Sequence, residues 1–396
     1  MGCLVVSSKL ILMKLNPNTL KTGLAMFAMF FGAGNVVYPL FVGHLAQDAH
    51  FWGILGLLVT AVGVPFLGLI SVVLFGGDYD AFFGRLGKWP GFILTVLILA
   101  LIGPFGALPR TISLSFATTK MFYPTLSLPL FSFISCILIY LLTVRKNKIV
   151  ELIGSVLTPL LLLSLIIIIV KGVITGVSSP STLTAGKAFV VGLNEGYQTM
   201  DLLATPFFSA IIVSAIAMAA TKQSEAAPKA IVKESLKASL IGGLALSLVY
   251  IGLGMVASHW PSVLSQTKPE AYLGALAIEI LGPFAGIIAC VAVALACLTT
   301  AIALAAVFAD FLQKDLLFDR VGFGACLIIT LVISFFFSTL EFTGIMAFLA
   351  PILMVFYPAL ITLAFFNMLY KLTGFKWVKT PTLIVFILSL IFAIRG

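Results

Sequence analysis

The sequence predicts an all-α protein that crosses a membrane many times. Of its 396 residues, 61% are hydrophobic and only 9% are charged, and the mean hydropathy is +1.20. A soluble protein of this size carries about 25% charged residues. Apolar stretches of roughly 20 residues, long enough to cross a bilayer as a helix, recur along the chain. The predicted fold class is therefore a polytopic helical membrane protein.

The apolar stretches predict about 11 spans, separated by short polar segments rich in glycine, proline and charge. The predicted spans are 22–43, 52–75, 91–118, 126–143, 150–172, 198–220, 236–257, 283–311, 322–340, 345–368 and 381–394. Most of the 23 lysines and arginines fall on the N-terminal side of the membrane when these spans alternate in direction. This bias predicts a cytoplasmic N-terminus, and the net charge of +9 does not indicate nucleic-acid binding.

Two spaced pairs of helix-breaking residues suggest an inverted repeat of five plus five spans. Pro39 in the first span is matched by Pro206 in the sixth, and Gly103-Pro104 in the third by Gly282-Pro283 at the eighth. Many transporters consist of two such inverted halves. The predicted division is a cytoplasmic segment 1–21, a first repeat 22–172, an external loop 173–197, a second repeat 198–368 and a C-terminal segment 369–396 with the last span.

The first span contains FFGAGNVVYP at 30–39, which interrupts an apolar run with poor helix formers. A broken span is tolerated where it lines a cavity, because its freed backbone groups can hold a ligand there. Free N–H groups of Ala33, Gly34 and Asn35 suit a carboxylate, and free carbonyls of Ala28 and Phe31 suit Na⁺. Glycines at positions 32 and 34 would admit a ligand to the backbone. The alternative is a kinked helix that packs closely on a neighbour.

The eighth span carries adjacent hydroxyls, Thr299 and Thr300, one turn after Ala296. Two hydroxyls and a carbonyl could form part of a cation shell of oxygens. The alternative is that each threonine donates to a carbonyl of its own helix, as membrane threonines usually do.

Asp201 and Arg110 are the clearest ionisable residues within predicted spans. Such residues are costly at membrane depth and suggest a function or a partner. Counting residues along the spans places both side chains in the outer third of the membrane, so we predict that they form a buried pair. A structural link between the third and sixth spans and a contact to substrate both remain open.

Other classes of function lack their motifs. The five cysteines and three histidines have no metal-ligand or disulfide spacing, and GxxxxGK[ST] is absent, which argues against bound metal clusters and ATP-driven transport. The nucleophile and aspartate motifs of membrane proteases and prenyl transferases are also missing. We therefore expect neither an enzyme nor a covalently bound cofactor.

Four motifs in order resemble the bacterial branched-chain amino acid:cation symporter family of the amino acid–polyamine–organocation group. They are FFGAGN with Pro39, IGPFGALPRT at 102–111, EGYQTMD at 195–201 and LACLTTAI at 295–302. The resemblance implies sodium-driven import of leucine, isoleucine and valine across the bacterial inner membrane by alternating access. The fold it implies is a five-plus-five repeat with broken first and sixth spans, embedded in lipid.

The resemblance also implies two sets of site residues. The substrate set is Gly32, Ala33, Gly34, Asn35, Tyr197, Thr199, Met200 and Asp201. The sodium set is Ala28, Phe31, Ala296, Thr299 and Thr300. A proton-coupled carrier or an exchanger of other amino acids on the same architecture is the alternative, with Asp201 as a proton site. Family members typically have twelve spans against the eleven predicted here, which leaves the oligomeric state open.

Overall fold

The computed structural model describes residues 17–144, 148–221 and 228–395. Most of the predicted cytoplasmic segment 1–21 lies outside these residues. The described residues are almost entirely helical and contain no strand. The predicted all-α class is therefore confirmed.

The first repeat contains five spans, numbered in chain order. They are Pro17–Phe30 with Ala33–Ala46, His50–Leu58 with Val64–Leu74, Lys88–Ile102 with Ala107–Lys120, Leu128–Val144, and Lys148–Thr175. A π-helical turn, Val59–Gly63, joins the two parts of the second span. The short helix Tyr79–Gly84 connects the second span to the third.

The second repeat contains spans six to ten, and an eleventh follows. They are Ala185–Tyr197 with Asp201–Thr221, Pro228–His259, Pro283–Phe311, Phe323–Ser338, Glu341–Thr373, and Lys379–Arg395. Three short helices, Pro261–Leu264, Pro269–Ala271 and Tyr272–Leu281, connect the seventh span to the eighth. Six helical segments of the described ranges are long and apolar enough to cross a membrane alone, and shorter apolar helices supply the others.

The first and sixth spans are both broken near their middle, as predicted. The first span unwinds at Phe31 and Gly32, where Gly32 is extended with φ −110° and ψ −166°. The sixth span unwinds between Tyr197 and Asp201, and Met200 takes a positive φ of 66°. Each break leaves two half helices, called here the first and second half helix of that span. Their free ends face one another in the interior of the protein.

The predicted loop 173–197 differs from the structure, because Ala185–Tyr197 is helical and forms the first half helix of the sixth span. Lys187, Asn194 and Glu195 lower the hydropathy of this helix, so an apolar window does not detect it. It packs against the second span through facing glycines. A Cβ on Gly192 would lie 1.9 Å from the carbonyl oxygen of Gly53.

The proline pair that suggested the repeat is placed equivalently, whereas the glycine-proline pair is not. Pro39 and Pro206 each lie about two turns into the second half helix of a broken span. Gly103 ends a helix in the middle of the third span, while Gly282 caps the start of the eighth. The second pairing was therefore wrong, since a glycine that precedes a proline serves a mid-span break and a helix start equally well.

Candidate functional site

Asn35 connects the break of the first span to the sixth and seventh spans. Its Oδ1 accepts a hydrogen bond of 3.2 Å from the backbone N–H of Gly32. Its Nδ2 donates to Oδ2 of Asp201 at 2.7 Å and also to the hydroxyl of Tyr250. The Tyr250 hydroxyl in turn donates to Asp201 at 3.3 Å. Both N–H donors of the side-chain amide are thereby used, so the donor of Asn35 that remains for the predicted substrate role is its backbone N–H.

Asp201 is the first residue of the second half helix of the sixth span, and it is 4% exposed. The N-terminus of a helix carries a positive partial charge that stabilises a carboxylate. Hydrogen bonds from Asn35 and Tyr250 add to this stabilisation. The buried acid is therefore held by dipoles and neutral donors.

Arg110 is equally buried, at 2% exposed, but it does not pair with Asp201. Its Nη1 donates to the carbonyl of Gln198 at 2.9 Å, and its Nη2 donates to the Tyr38 hydroxyl at 3.1 Å. In the described ranges the ion pairs within 4 Å join Lys237 to Glu234, Lys268 to Glu341 and Lys314 to Asp310. The predicted Arg110–Asp201 pair was wrong, because a carbonyl freed by the broken sixth span takes the guanidinium instead.

A cavity of about 40 Å³ lies between the two breaks, and we call it the central cavity. Seven of the eight predicted substrate residues line it together with Arg110: Gly32, Ala33, Gly34, Asn35, Thr199, Met200 and Asp201. The eighth, Tyr197, instead packs against Tyr357 of the tenth span, with ring centroids 4.8 Å apart and ring planes tilted by 40°. Met29, Phe30, Ile102, Phe208 and Leu304 supply apolar walls.

The two glycines of the first-span break serve different purposes. A Cβ on Gly34 would lie 2.9 Å from Arg110 Nη2 and 3.1 Å from Thr199 Cα, so Gly34 permits the two breaks to touch. A Cβ on Gly32 would meet nothing closer than 3.7 Å. Gly32 is therefore the glycine that leaves the backbone open to the central cavity.

The hydroxyls of Thr299 and Thr300 both donate to the carbonyl of Ala296, at 2.8 and 3.1 Å. This is the internal hydrogen bonding that the alternative interpretation described. Their oxygens keep lone pairs that a cation can use, whereas the Ala296 carbonyl is already the acceptor of both hydroxyls. Thr300 also lines the central cavity, with its methyl group 3.7 Å from the Cβ position of Gly32.

The break also frees a carbonyl of the first half helix. In a continued helix the N–H of Gly32 would donate to the carbonyl of Ala28, four residues earlier. Here that N–H donates to the Asn35 side chain instead. Phe31 lies beyond the end of the half helix, so its carbonyl also leaves the helical ladder. The donor chemistry of Ala28, Phe31, Thr299 and Thr300 fits a hard cation such as Na⁺.

Tyr38, Tyr250 and Gln198 are part of this polar network and were not predicted from the sequence. A tyrosine within an apolar span is the signal that could have found the first two, because a buried phenol hydroxyl usually has a partner. The role of Gln198 depends on its backbone carbonyl, which no side-chain pattern reveals.

Broken helices whose ends meet at a buried polar cavity are typical of membrane transport proteins. The model of the branched-chain amino acid transport protein family matches residues 15–395. Relatives from Staphylococcus aureus strains USA300 and NCTC 8325 are 32% identical over 407 aligned positions, covering 95% of this chain and 88% of each relative. Both are provisionally named branched-chain amino acid carrier proteins. The chain belongs to the branched-chain amino acid transport protein family and is a transporter, not an enzyme.

Solved transporters share the fold. The inward-facing conformation of Mhp1 superimposes with a TM-score of 0.61 at 15% identity, covering 94% of this chain and 88% of Mhp1. MhsT in complex with L-phenylalanine gives a TM-score of 0.59 at 16% identity, covering 94% of this chain and 98% of MhsT. The predicted inverted-repeat architecture is thereby confirmed.

Proposed function

We propose that the protein imports leucine, isoleucine and valine together with Na⁺ by alternating access. The observation that carries the proposal is the hydrogen-bonded bridge from Gly32 through Asn35 to Asp201, which joins both broken spans beside Thr300. Family membership supports the substrate class, and the geometry of the breaks supports the binding mode.

The central cavity offers complementary surfaces for a zwitterion with an aliphatic side chain. The N-terminus of Ala33–Ala46 and the Arg110 guanidinium provide donors for an α-carboxylate. Carbonyls freed at the breaks provide acceptors for the ammonium group. Met29, Phe30 and Phe208 form an apolar wall that suits a branched hydrocarbon.

The coupling cation would bind carbonyls of Ala28 and Phe31 and hydroxyls of Thr299 and Thr300, with Ala296 joining once its hydroxyl donors turn away. Coupling requires that the cation favour a state that also binds substrate better. The shared position of Thr300 and Gly32 provides such a route, because both line the central cavity and the Thr300 methyl group lies 3.7 Å from where a Cβ on Gly32 would be.

A cavity of about 40 Å³ holds a few waters and is too small for leucine. Substrate entry therefore requires the half helices to separate, as the rocking of one repeat unit against the other would achieve.

We further propose that the N-terminus is cytoplasmic in a bacterial inner membrane. A reporter that is active only in the cytoplasm should then be active when fused after residue 76. A reporter that is active only outside the membrane should be active when fused after residue 177.

The test is radiolabelled leucine uptake into proteoliposomes with and without an inward sodium gradient. We expect sodium-dependent uptake in the wild type and at least a tenfold higher sodium requirement in Thr299→Ala/Thr300→Ala. Thr330→Ala is the matched control, because Thr330 donates to the Cys326 carbonyl in the same way, at 2.8 Å, but lies in the ninth span. A double variant with unchanged sodium dependence would overturn the sodium site.

Proton coupling is the second candidate, and the burial of Asp201 at 4% exposed favours it. In that case uptake would follow a pH gradient at constant sodium and Asp201→Asn would abolish that response. Sodium-dependent uptake that survives collapse of the pH gradient would exclude it.

A further inference from the structure

Two of the three histidines meet on the side of the membrane where the first and seventh spans end, the proposed external side. His50 is the first residue of the second span, and His259 is the last residue of the seventh. Their ring centroids lie 6.1 Å apart, with the ring planes inclined by 62°. Both residues are half-buried, so solutes on that side of the membrane can reach the pair.

Hydrogen bonds determine which nitrogen of each ring carries the proton. His50 Nδ1 lies 2.7 Å from the carbonyl oxygen of Gln47, and His259 Nδ1 lies 2.7 Å from that of Met255. A carbonyl oxygen can only accept, so each Nδ1 is the N–H donor. The Ser258 hydroxyl, 3.1 Å from His259 Nδ1, donates to the same Met255 carbonyl and leaves this assignment unchanged.

The Nε2 atoms are therefore the groups of the pair that are free to bind a ligand. In a neutral ring whose Nδ1 carries the proton, Nε2 keeps a lone pair. Neither Nε2 has a hydrogen-bond partner among the residues that the structure describes. Histidines that bind metal ions show the same arrangement, with the second ring nitrogen donating to a carbonyl or a carboxylate.

The backbone on both sides of the pair is held in place. Gln47, whose carbonyl orients His50, takes a positive φ of 45° in the turn between the first and second spans. The carbonyl of His259 accepts a hydrogen bond of 3.0 Å from the N–H of Val177. The indole N–H of Trp260 donates to the Gly172 carbonyl at 2.9 Å, which links the end of the seventh span to the fifth.

The separation of the rings fits a shared metal ion. Zinc lies about 2.0–2.1 Å from an imidazole ligand, which places two ring centres on one ion roughly 5–6 Å apart. The observed 6.1 Å is therefore within a small side-chain movement of this arrangement. Imidazole nitrogen suits Zn²⁺, Ni²⁺ and Cu²⁺, whereas Mg²⁺ and Ca²⁺ prefer oxygen. The described residues contain no group of three or more histidines, cysteines or carboxylates placed to hold a metal, so water would complete the shell.

We propose that His50 and His259 form a binding site for one divalent transition-metal ion of the zinc type, each through Nε2. The bound ion would join the connection between the first and second spans to the end of the seventh span. Spacing in the sequence does not reveal this pair, because the fold brings together residues from opposite halves of the chain. The site depends neither on the proposed substrate nor on the proposed coupling ion.

The experiment is calorimetric titration of Zn²⁺ into the purified full-length protein, without a histidine tag and after metal has been removed with EDTA. We expect one Zn²⁺ per chain in the wild type and at least tenfold weaker binding in His50→Gln and in His259→Gln. Glutamine keeps an N–H donor for the backbone carbonyl but lacks the imidazole nitrogen. His44→Gln is the matched control, because the ring of this third histidine packs against Tyr272, at 5.6 Å, and should leave zinc affinity unchanged.

Thermal unfolding provides a second measurement. Zn²⁺ should raise the melting temperature of the wild type and of His44→Gln relative to EDTA, because an ion that binds the folded state stabilises it. The same addition should not change the melting temperature of His50→Gln or His259→Gln. Melting curves in EDTA show that each variant is folded before its affinity is compared.

Two results would overturn the site. One is a wild-type protein that binds no Zn²⁺, and the other is an affinity that either His50→Gln or His259→Gln leaves unchanged. Mg²⁺ should give no binding heat at this site, and competition by excess Mg²⁺ would likewise contradict a pair of nitrogen ligands.

Discussion

Asn35 satisfies groups that the breaks of two spans would otherwise leave unpaired. Its amide accepts from the Gly32 N–H and donates to the Asp201 carboxylate, at 3.2 and 2.7 Å. An amide is the side chain suited to this position, because it offers both an acceptor and two donors without charge. Binding at either break is thereby linked to the position of the other.

Asn35→Ala should therefore destabilise the protein by about 1–3 kcal/mol, the cost of unpaired buried polar groups. The carboxylate of Asp201 would lose its 2.7 Å hydrogen bond from the amide and would keep Thr199 and the Tyr250 hydroxyl as side-chain partners. Thermal unfolding in detergent measures the change, and leucine binding should weaken in parallel. Asn194→Ala is the control, since Asn194 is exposed on the first half helix of the same sixth span. Equal melting temperatures for the two variants would contradict the role of Asn35.

At this scale the sequence predicted which residues meet but not how they are paired. Seven of the predicted substrate residues line one cavity. The break in FFGAGN is visible as poor helix formers, whereas the residues of EGYQTMD were predicted from the resemblance to the family motif. The pairing of Arg110 with Asp201 failed, since charge alone does not count the carbonyls that a break releases. Gln198 contributes its carbonyl to Arg110, and any residue there could have done so.

Glycine contacts determine how closely the first half helix of the sixth span packs against the second span. Gly192 faces the backbone of Gly53, Gly196 faces Thr60, and a Cβ at either position would lie 1.9 Å from an oxygen. Thr60, in the π-helical turn of the second span, also donates to the Leu193 carbonyl at 2.9 Å. Small residues let membrane helices approach closely, and the approach permits such hydrogen bonds.

Gly192→Ala should force the second and sixth spans apart and cost roughly 1–3 kcal/mol, as overpacking does. The same helix provides a control in Gly186→Ala, where an added Cβ meets nothing within 4 Å. We expect lower thermal stability and reduced leucine uptake in the first variant and wild-type behaviour in the second. Indistinguishable melting curves would show that the helices are not in close contact in the membrane.

Helix Ala185–Tyr197 also marks the limit of prediction at the scale of elements. Long apolar runs were located to within a few residues, as at Pro283–Phe311, because a helix that faces lipid must be apolar and hydropathy measures that property. A half helix that packs against protein can carry Lys187 and Glu195, and its hydropathy then resembles that of a loop. Its glycines at positions 192 and 196, spaced for helix packing, were the available signal.

Across the whole molecule, cavities lie on both sides of the bridge between the breaks. A cavity of about 320 Å³, called the outer cavity and lined by Ser113, Lys120 and Phe342, lies on one side. A smaller cavity of about 20 Å³, lined by Phe30, Asp201 and Ser239, lies on the other side. In this structure the two cavity volumes are unequal, at about 320 against 20 Å³. Alternating access requires a second state in which that inequality is reversed.

Cysteine labelling tests this requirement. In a variant whose five native cysteines are replaced, Ser113→Cys reports on the outer cavity and Ser239→Cys on the smaller one. Sodium should change their rates of reaction with a small thiol reagent in opposite directions, because opening one side closes the other. Saturating leucine with sodium should slow both positions if an occluded state forms. Rates that rise together when sodium is added would indicate a continuous pore, and alternating access would then be wrong for this protein.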